Sequence, residues 1–172
     1  EFNCPDFFTA PEPLIQKTFA RIMSLKDGKK KMSKSDPSDL SRVNLNDSKD
    51  IIVNKIKKAK TDDKSMPEDN KNLNQRPEVE NLLGIYSSLS DQKIEKTINE
   101  FSGKNFSEFK NKLSEIVVEK ISPISNEINK LQKDIQFIDK ILRDGSERAN
   151  EIASKKVNEL KKGYHLGDYQ TR

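Results

Sequence analysis

The sequence predicts a mainly α chain: a helical bundle over residues 44–172, attached to the edge of an α/β domain over residues 1–43. Three observations carry this reading. From Asp47 onward apolar residues recur at three- and four-residue steps, segment after segment. Before that point Pro5, Pro11 and Pro13 break any long helix, and the apolar run Ala20 to Leu25 is followed by the turn pair Asp27-Gly28. The composition, 32% hydrophobic against 35% charged, suits helices that each keep one wet face.

In chain order, Ala20 to Leu25 reads as a short buried strand of the α/β edge. Ile52, Ile56 and Ala59 share one face of the first helix. Thr61 to Arg76 is polar, contains Pro67 and reads as a long, mobile loop. Val79, Leu82, Leu83, Tyr86 and Leu89 mark the next amphipathic helix. Ser90 is placed to cap the one after it, which bears Ile94, Ile98 and Phe101 and stops at Gly103.

Phe106 to Leu142 is the longest periodic segment. Phe109, Leu113, Ile116, Val117 and Ile121 precede Pro123; Ile124, Ile128, Leu131, Ile135, Ile138 and Leu142 follow it. Pro123 is expected to kink or divide the helix near Glu119 to Ser122. Asp144-Gly145 should end the segment, and Ser146 should cap a last helix that turns Ala149, Ile152, Ala153, Val157 and Leu160 inward as far as Gly163. The tail beyond it should fray.

Cys4 is alone, so one chain can build neither a disulfide framework nor a thiolate metal site, and a reducing, cytoplasmic compartment fits. No apolar run approaches membrane-spanning length, and "EFNCPDFF" is no signal peptide. The net charge of +4 is a weak pointer to nucleic acid; how the lysines cluster says more.

They cluster in "KDGKKKMSKSDPSD", Lys26 to Asp39. A lysine run by itself is ordinarily a solvated loop. Here Lys31 and Lys34 are three apart, so a turn-like backbone lets both ammonium groups meet one anion. Ser33 and Ser35 add hydroxyl donors, and Met32 is a soft apolar side chain suited to a purine face. Lysine acts as a point charge on a flexible stem, which suits a phosphate chain in transit. Gly28 should let the preceding turn flex, and Asp36 can cap a turn that begins at Pro37. The glycines of a Walker-type phosphate loop are missing.

The word "KMSKS", Lys31 to Ser35, resembles the second signature of class I aminoacyl-tRNA synthetases. With "ARIMSL", "KKMSKSDP", "IKKAKTD", "RPEVENLLGIYSSLS" and "LRDGSERANEIA" around it, the chain resembles the C-terminal half of bacterial-type tryptophanyl-tRNA synthetases. The resemblance implies a Rossmann-like catalytic edge over residues 1–43 and a helical, anticodon-binding domain over residues 44–172. It implies ATP and Mg2+ as cofactors, with L-tryptophan activated to its adenylate and passed to tRNA(Trp), usually by a homodimer. It implies that Lys31 and Lys34 are catalytic, and that Ile22, Met23, Lys31, Met32, Ser33, Lys34 and Ser35 bind ATP. No metal ligand is assigned, and Asp144, Arg148 and Lys155 are candidates for tRNA contact.

That family's first signature holds two histidines, whereas the one histidine here is His165, in the tail. The chain begins at Glu1, so the first signature and the tryptophan pocket are expected upstream, and the chain alone is expected to be inactive. Two other readings stand beside this one: a helical tRNA- or RNA-binding module without catalysis, and a tyrosyl-type synthetase.

Overall fold

The computed structural model describes residues 7–15 and 19–163. The chain forms two compact units, one of Ile15–Asn129 and one of Glu1–Leu14 with Lys130–Arg172. The described residues contain helices α1 (Lys49–Lys57), α2 (Pro77–Leu89), α3 (Ile94–Phe101), α4 (Phe106–Leu131) and α5 (Ile135–Gly163). Short 3-10 turns occupy Asp39–Ser41 and Leu73–Gln75. Cys4, His165 and the tail lie outside the described residues.

The core of the first unit is where periodicity placed it. The Ser48 hydroxyl accepts the Ile51 N–H and opens α1, which buries Ile52 and Ile56, with Ala59 buried just beyond its end. Pro77 at the first position of α2, with Glu78 and Glu80 in the first turn, suits the positive end of that helix. Val79, Leu82 and Leu83 face inward from α2, Ile98 and Phe101 from α3, and Phe109, Leu113 and Val117 from α4. Phe101 meets both Tyr86 and Phe109 edge-to-face, with ring centroids 4.9 Å apart in each pair.

The details differ from expectation at several points. Ala20 to Leu25 forms no strand; a single antiparallel bridge joins Met23 to Lys31. The Thr61–Arg76 loop is anchored: Arg76 grips Asp62 through two bonds of 2.6 and 2.7 Å, and Met66 and Leu73 are buried. Ser90 closes α2, its hydroxyl donating to the Tyr86 carbonyl at 2.7 Å, and α3 begins after Lys93. Asp91 takes a φ of 51° in the intervening turn. Gly103 ends α3 at a φ of +71°, a backbone state that favours glycine.

Pro123 neither divides α4 nor ends it. Proline removes one helical N–H, and the carbonyl it frees, that of Glu119, belongs to an exposed residue that water can serve. The break falls at residues 132–134, where the Asp134 carboxylate accepts the Phe137 N–H at 3.0 Å and starts α5. α5 then runs unbroken through Asp144, Gly145 and Ser146; one glycine costs a helix only about 1 kcal/mol. No residue of α5 is buried, so the stripe from Ala149 to Leu160 is not the core face it was read as. Within that unit the Lys156 ammonium lies 4.0 Å from the centre of the Phe7 ring.

No helix of the described residues is long and apolar enough to cross a membrane.

Candidate functional site

The lysine–serine segment leaves a small hairpin. The Ser24 N–H donates to Lys30 O at 2.8 Å and the Met32 N–H to Ile22 O at 2.9 Å, flanking the Met23–Lys31 bridge. In such a non-hydrogen-bonded pair, Met23's own N–H and C=O point away from Lys31. A side chain takes both. Asn81 of α2 accepts the Met23 N–H and donates to the Met23 carbonyl, each at 2.9 Å. On that edge an amide side chain occupies the place of a neighbouring strand, and the strand expected at Ala20 to Leu25 is reduced to one rung, with Leu25 bonded to Ser41 and Lys60 instead.

The turn of the hairpin is held as well. Gly28 is buried against the start of α2, where an added Cβ would stand 2.4 Å from the Pro77 carbonyl carbon and 2.5 Å from the Glu78 nitrogen. The glycine is therefore needed for close approach, not for the flexing anticipated from its position. Beside it the Glu78 carboxylate pairs with Lys60 at 2.8 Å. The Lys60 hydrogen bond holds Glu78 below its ordinary value against the opposing effect of burial, and Glu78 raises Lys60 in turn. Leu25 closes the base: its N–H donates to Ser41 O and its carbonyl accepts the Lys60 N–H.

The leg after the loop is tied by charge. Asp36 accepts the Ser38 N–H at 2.8 Å, making the turn over Pro37 that its position suggested. Arg42 donates to Asp36 O at 2.9 Å and pairs with Asp39 at 3.1 Å. Asp39 also meets the Lys55 ammonium at 2.7 Å, and that hydrogen bond is the main reason its carboxyl is held below its ordinary value.

Between these anchors lie Ser33, Lys34 and Ser35. Their bonds are local: the two hydroxyls are 3.1 Å apart, and the Ser33 hydroxyl accepts the Ser35 N–H at 3.4 Å. Lys31 and Lys34 are exposed, and neither is ion-paired among the described residues. Met32 is half-buried against the core, Met23 is half-buried, and Ile22 is 46% exposed. The segment thus offers two uncommitted cations and two hydroxyls on a fastened base, donors that suit a polyanion such as a phosphate chain. No group of His, Cys, Asp and Glu side chains suited to hold a metal ion occurs among the described residues.

Asp144, Arg148 and Lys155 lie in the other unit, all exposed on α5. Lys155 is paired with Glu151 at 3.0 Å. Asn81, Arg42, Lys55 and the Lys60–Glu78 pair went unread in the sequence. Only Lys55 left a signal, a lysine on the Ile52–Ile56 face of a helix.

Residues 1–122 match the family described as tRNA synthetases class I (W and Y). The tryptophan--tRNA ligase of Mesorhizobium japonicum is 50% identical over 86% of this chain and 41% of its own length. That of Agrobacterium fabrum is 52% identical over 90% of this chain and 44% of its own. The chain therefore spans less than half the length of these curated relatives. The crystal structure of tryptophanyl-tRNA synthetase from Mycoplasma pneumoniae superposes with a TM-score of 0.71 at 28% identity, covering 88% of this chain and 45% of that one.

Proposed function

The chain belongs to the class I tRNA synthetases (W and Y), and on that premise we propose that it is the KMSKS-bearing, C-terminal part of a tryptophan--tRNA ligase. The observation that carries this is the fastened hairpin bearing two exposed, unpaired lysines at Lys31 and Lys34. In the proposed reaction the carboxylate of L-tryptophan attacks the α-phosphorus of ATP. The bond to the bridging oxygen breaks, pyrophosphate leaves, and tryptophanyl-adenylate remains for transfer to tRNA(Trp).

Lys31 and Lys34 close on the phosphates and hold the charge that grows on the departing pyrophosphate. Ser33 and Ser35 donate hydrogen bonds to the same oxygens. The backbone at Ile22 and Met23 and the side chain of Met32 border the adenine. Mg2+ would be carried in on the phosphate oxygens, neutralising their charge. Residues 1–43 are proposed as the edge of a Rossmann-like catalytic domain and residues 44–172 as the helical anticodon-binding domain. Asp144, Arg148 and Lys155 on α5 are the proposed tRNA contacts, in a cytoplasmic homodimer. Tryptophan is favoured over tyrosine because the close relatives are named for tryptophan.

The test is ATP–pyrophosphate exchange in the natural full-length protein. Lys31→Ala and Lys34→Ala should each slow it by about 10²–10³-fold, with tryptophan affinity little changed. An unchanged rate removes the assignment.

A further inference from the structure

One face of α2 receives the whole segment that leads into the loop. Glu78, Asn81 and Gly84 are three residues apart and lie along that face. Gly28 seats on Pro77 and Glu78, Met23 is bonded by Asn81, and the Phe19 ring lies on Gly84, where an added Cβ would overlap it. The segment Phe19 to Gly28 thus runs along α2 in the reverse direction, touching it at three successive turns.

Of the three contacts, the one at Asn81 is directional. Asn81 is 3% exposed, and its two polar atoms both go to the peptide groups of one residue, Met23. A buried side-chain amide in a helix has to be satisfied, and here one donor and one acceptor bind a donor and an acceptor in a single orientation. A hairpin with one rung does not hold its own register in water. Sliding it by one residue would present the next residue to Asn81 and turn Lys31 to the other face.

We infer that Asn81 is a positioning residue for ATP: it fixes the register of the Met23–Lys31 rung, and so sets both the adenine-facing backbone and the point from which Lys31 and Lys34 reach the phosphates. The inference rests on the phosphate-loop reading above and adds to it a residue remote in sequence that touches no substrate. Because Asn81 acts on ATP placement, its loss shows in ATP kinetics and leaves tryptophan binding alone.

The experiment uses the natural full-length protein with Asn81→Asp, which preserves volume and loses the donor to the Met23 carbonyl, and Asn81→Leu, which loses both bonds. In pyrophosphate exchange the KM for ATP should rise about tenfold or more in each, the equivalent of one lost hydrogen bond, while the KM for tryptophan stays put. Amide hydrogen exchange should quicken at Met23 and Met32 and stay unchanged at Leu113 and Val117. A folded variant with native ATP KM and native protection at Met23 overturns the inference. Should both variants unfold, the native protein decides: a Met23 amide that exchanges as fast as that of Lys34 overturns it, and core-like protection supports it. Native exchange rates in Lys31→Ala and Lys34→Ala would bring down the phosphate-loop reading itself, an outcome distinct from a silent Asn81.

Discussion

Lys55 and Asp47 form a buried ion pair: the ammonium lies 2.6 Å from a carboxylate oxygen, and the side chains are 2% and 8% exposed. Asp39 reaches the same ammonium from the loop's trailing leg at 2.7 Å, so one lysine of α1 ties Asp39 to Asp47.

Removing one partner of a buried pair strands the other charge away from water. Lys55→Ala should therefore destabilise the chain by about 3–5 kcal/mol, read as a drop in the urea midpoint. The double variant Lys55→Met/Asp47→Leu removes both charges and should regain part of the loss. It cannot regain all, because Asp47 also accepts the Asn44 N–H at 2.8 Å. A single-variant loss under about 1 kcal/mol would show that the pair is not desolvated as its burial indicates.

Acid should loosen the frame around the loop. Glu78 is held low chiefly by the Lys60 hydrogen bond, and Asp62 chiefly by that of Arg76. Both carboxyls therefore bind fewer protons folded than unfolded, and their stabilisation is complete above the ordinary carboxylate range of about 4. It disappears as pH falls through that range to the depressed folded values. Lys60, raised by Glu78, works at the other end: its share is present at neutral pH and is lost as alkali passes its ordinary range and then its raised value. Urea midpoints measured from about pH 7 down to about pH 3 should fall more steeply in the native chain than in Glu78→Gln or Asp62→Asn. Parallel curves would mean that these pairs contribute nothing.

Much of this architecture was legible because helices announce their faces by period. Ile52 and Ile56, Val79 with Leu82 and Leu83, and Phe109 with Leu113 and Val117 were all read as core and are buried. The lysine loop was legible as a word. What holds it was not: Asn81 and Glu78 act across long sequence separations, Arg42 acts within six residues, and all three do so through single side chains that carry no period. Pro123 misled because a long helix can bear one missing donor, while Asp134, an ordinary N-cap in an acidic and basic stretch, made the real break. The α5 stripe misled differently: periodicity reports that a face is apolar, not that anything covers it.

Leu113 and Leu131 put that last distinction to measurement, since both belong to the apolar stripe of α4. Leu113 is fully buried at 0% exposure, in the cluster with Phe101 and Phe109, whereas Leu131 is half-buried at the end of the helix. Emptying a buried leucine site removes its transfer free energy and leaves a cavity, so Leu113→Ala should cost about 2–5 kcal/mol. At Leu131 part of the side chain already meets water and the helix end can adjust, so Leu131→Ala should cost clearly less than Leu113→Ala. Urea unfolding of the two variants side by side tests this, with the slope checked for constancy. Equal losses would place Leu131 in the core that the sequence pattern assigned to it and would refute the exposure described for the end of α4.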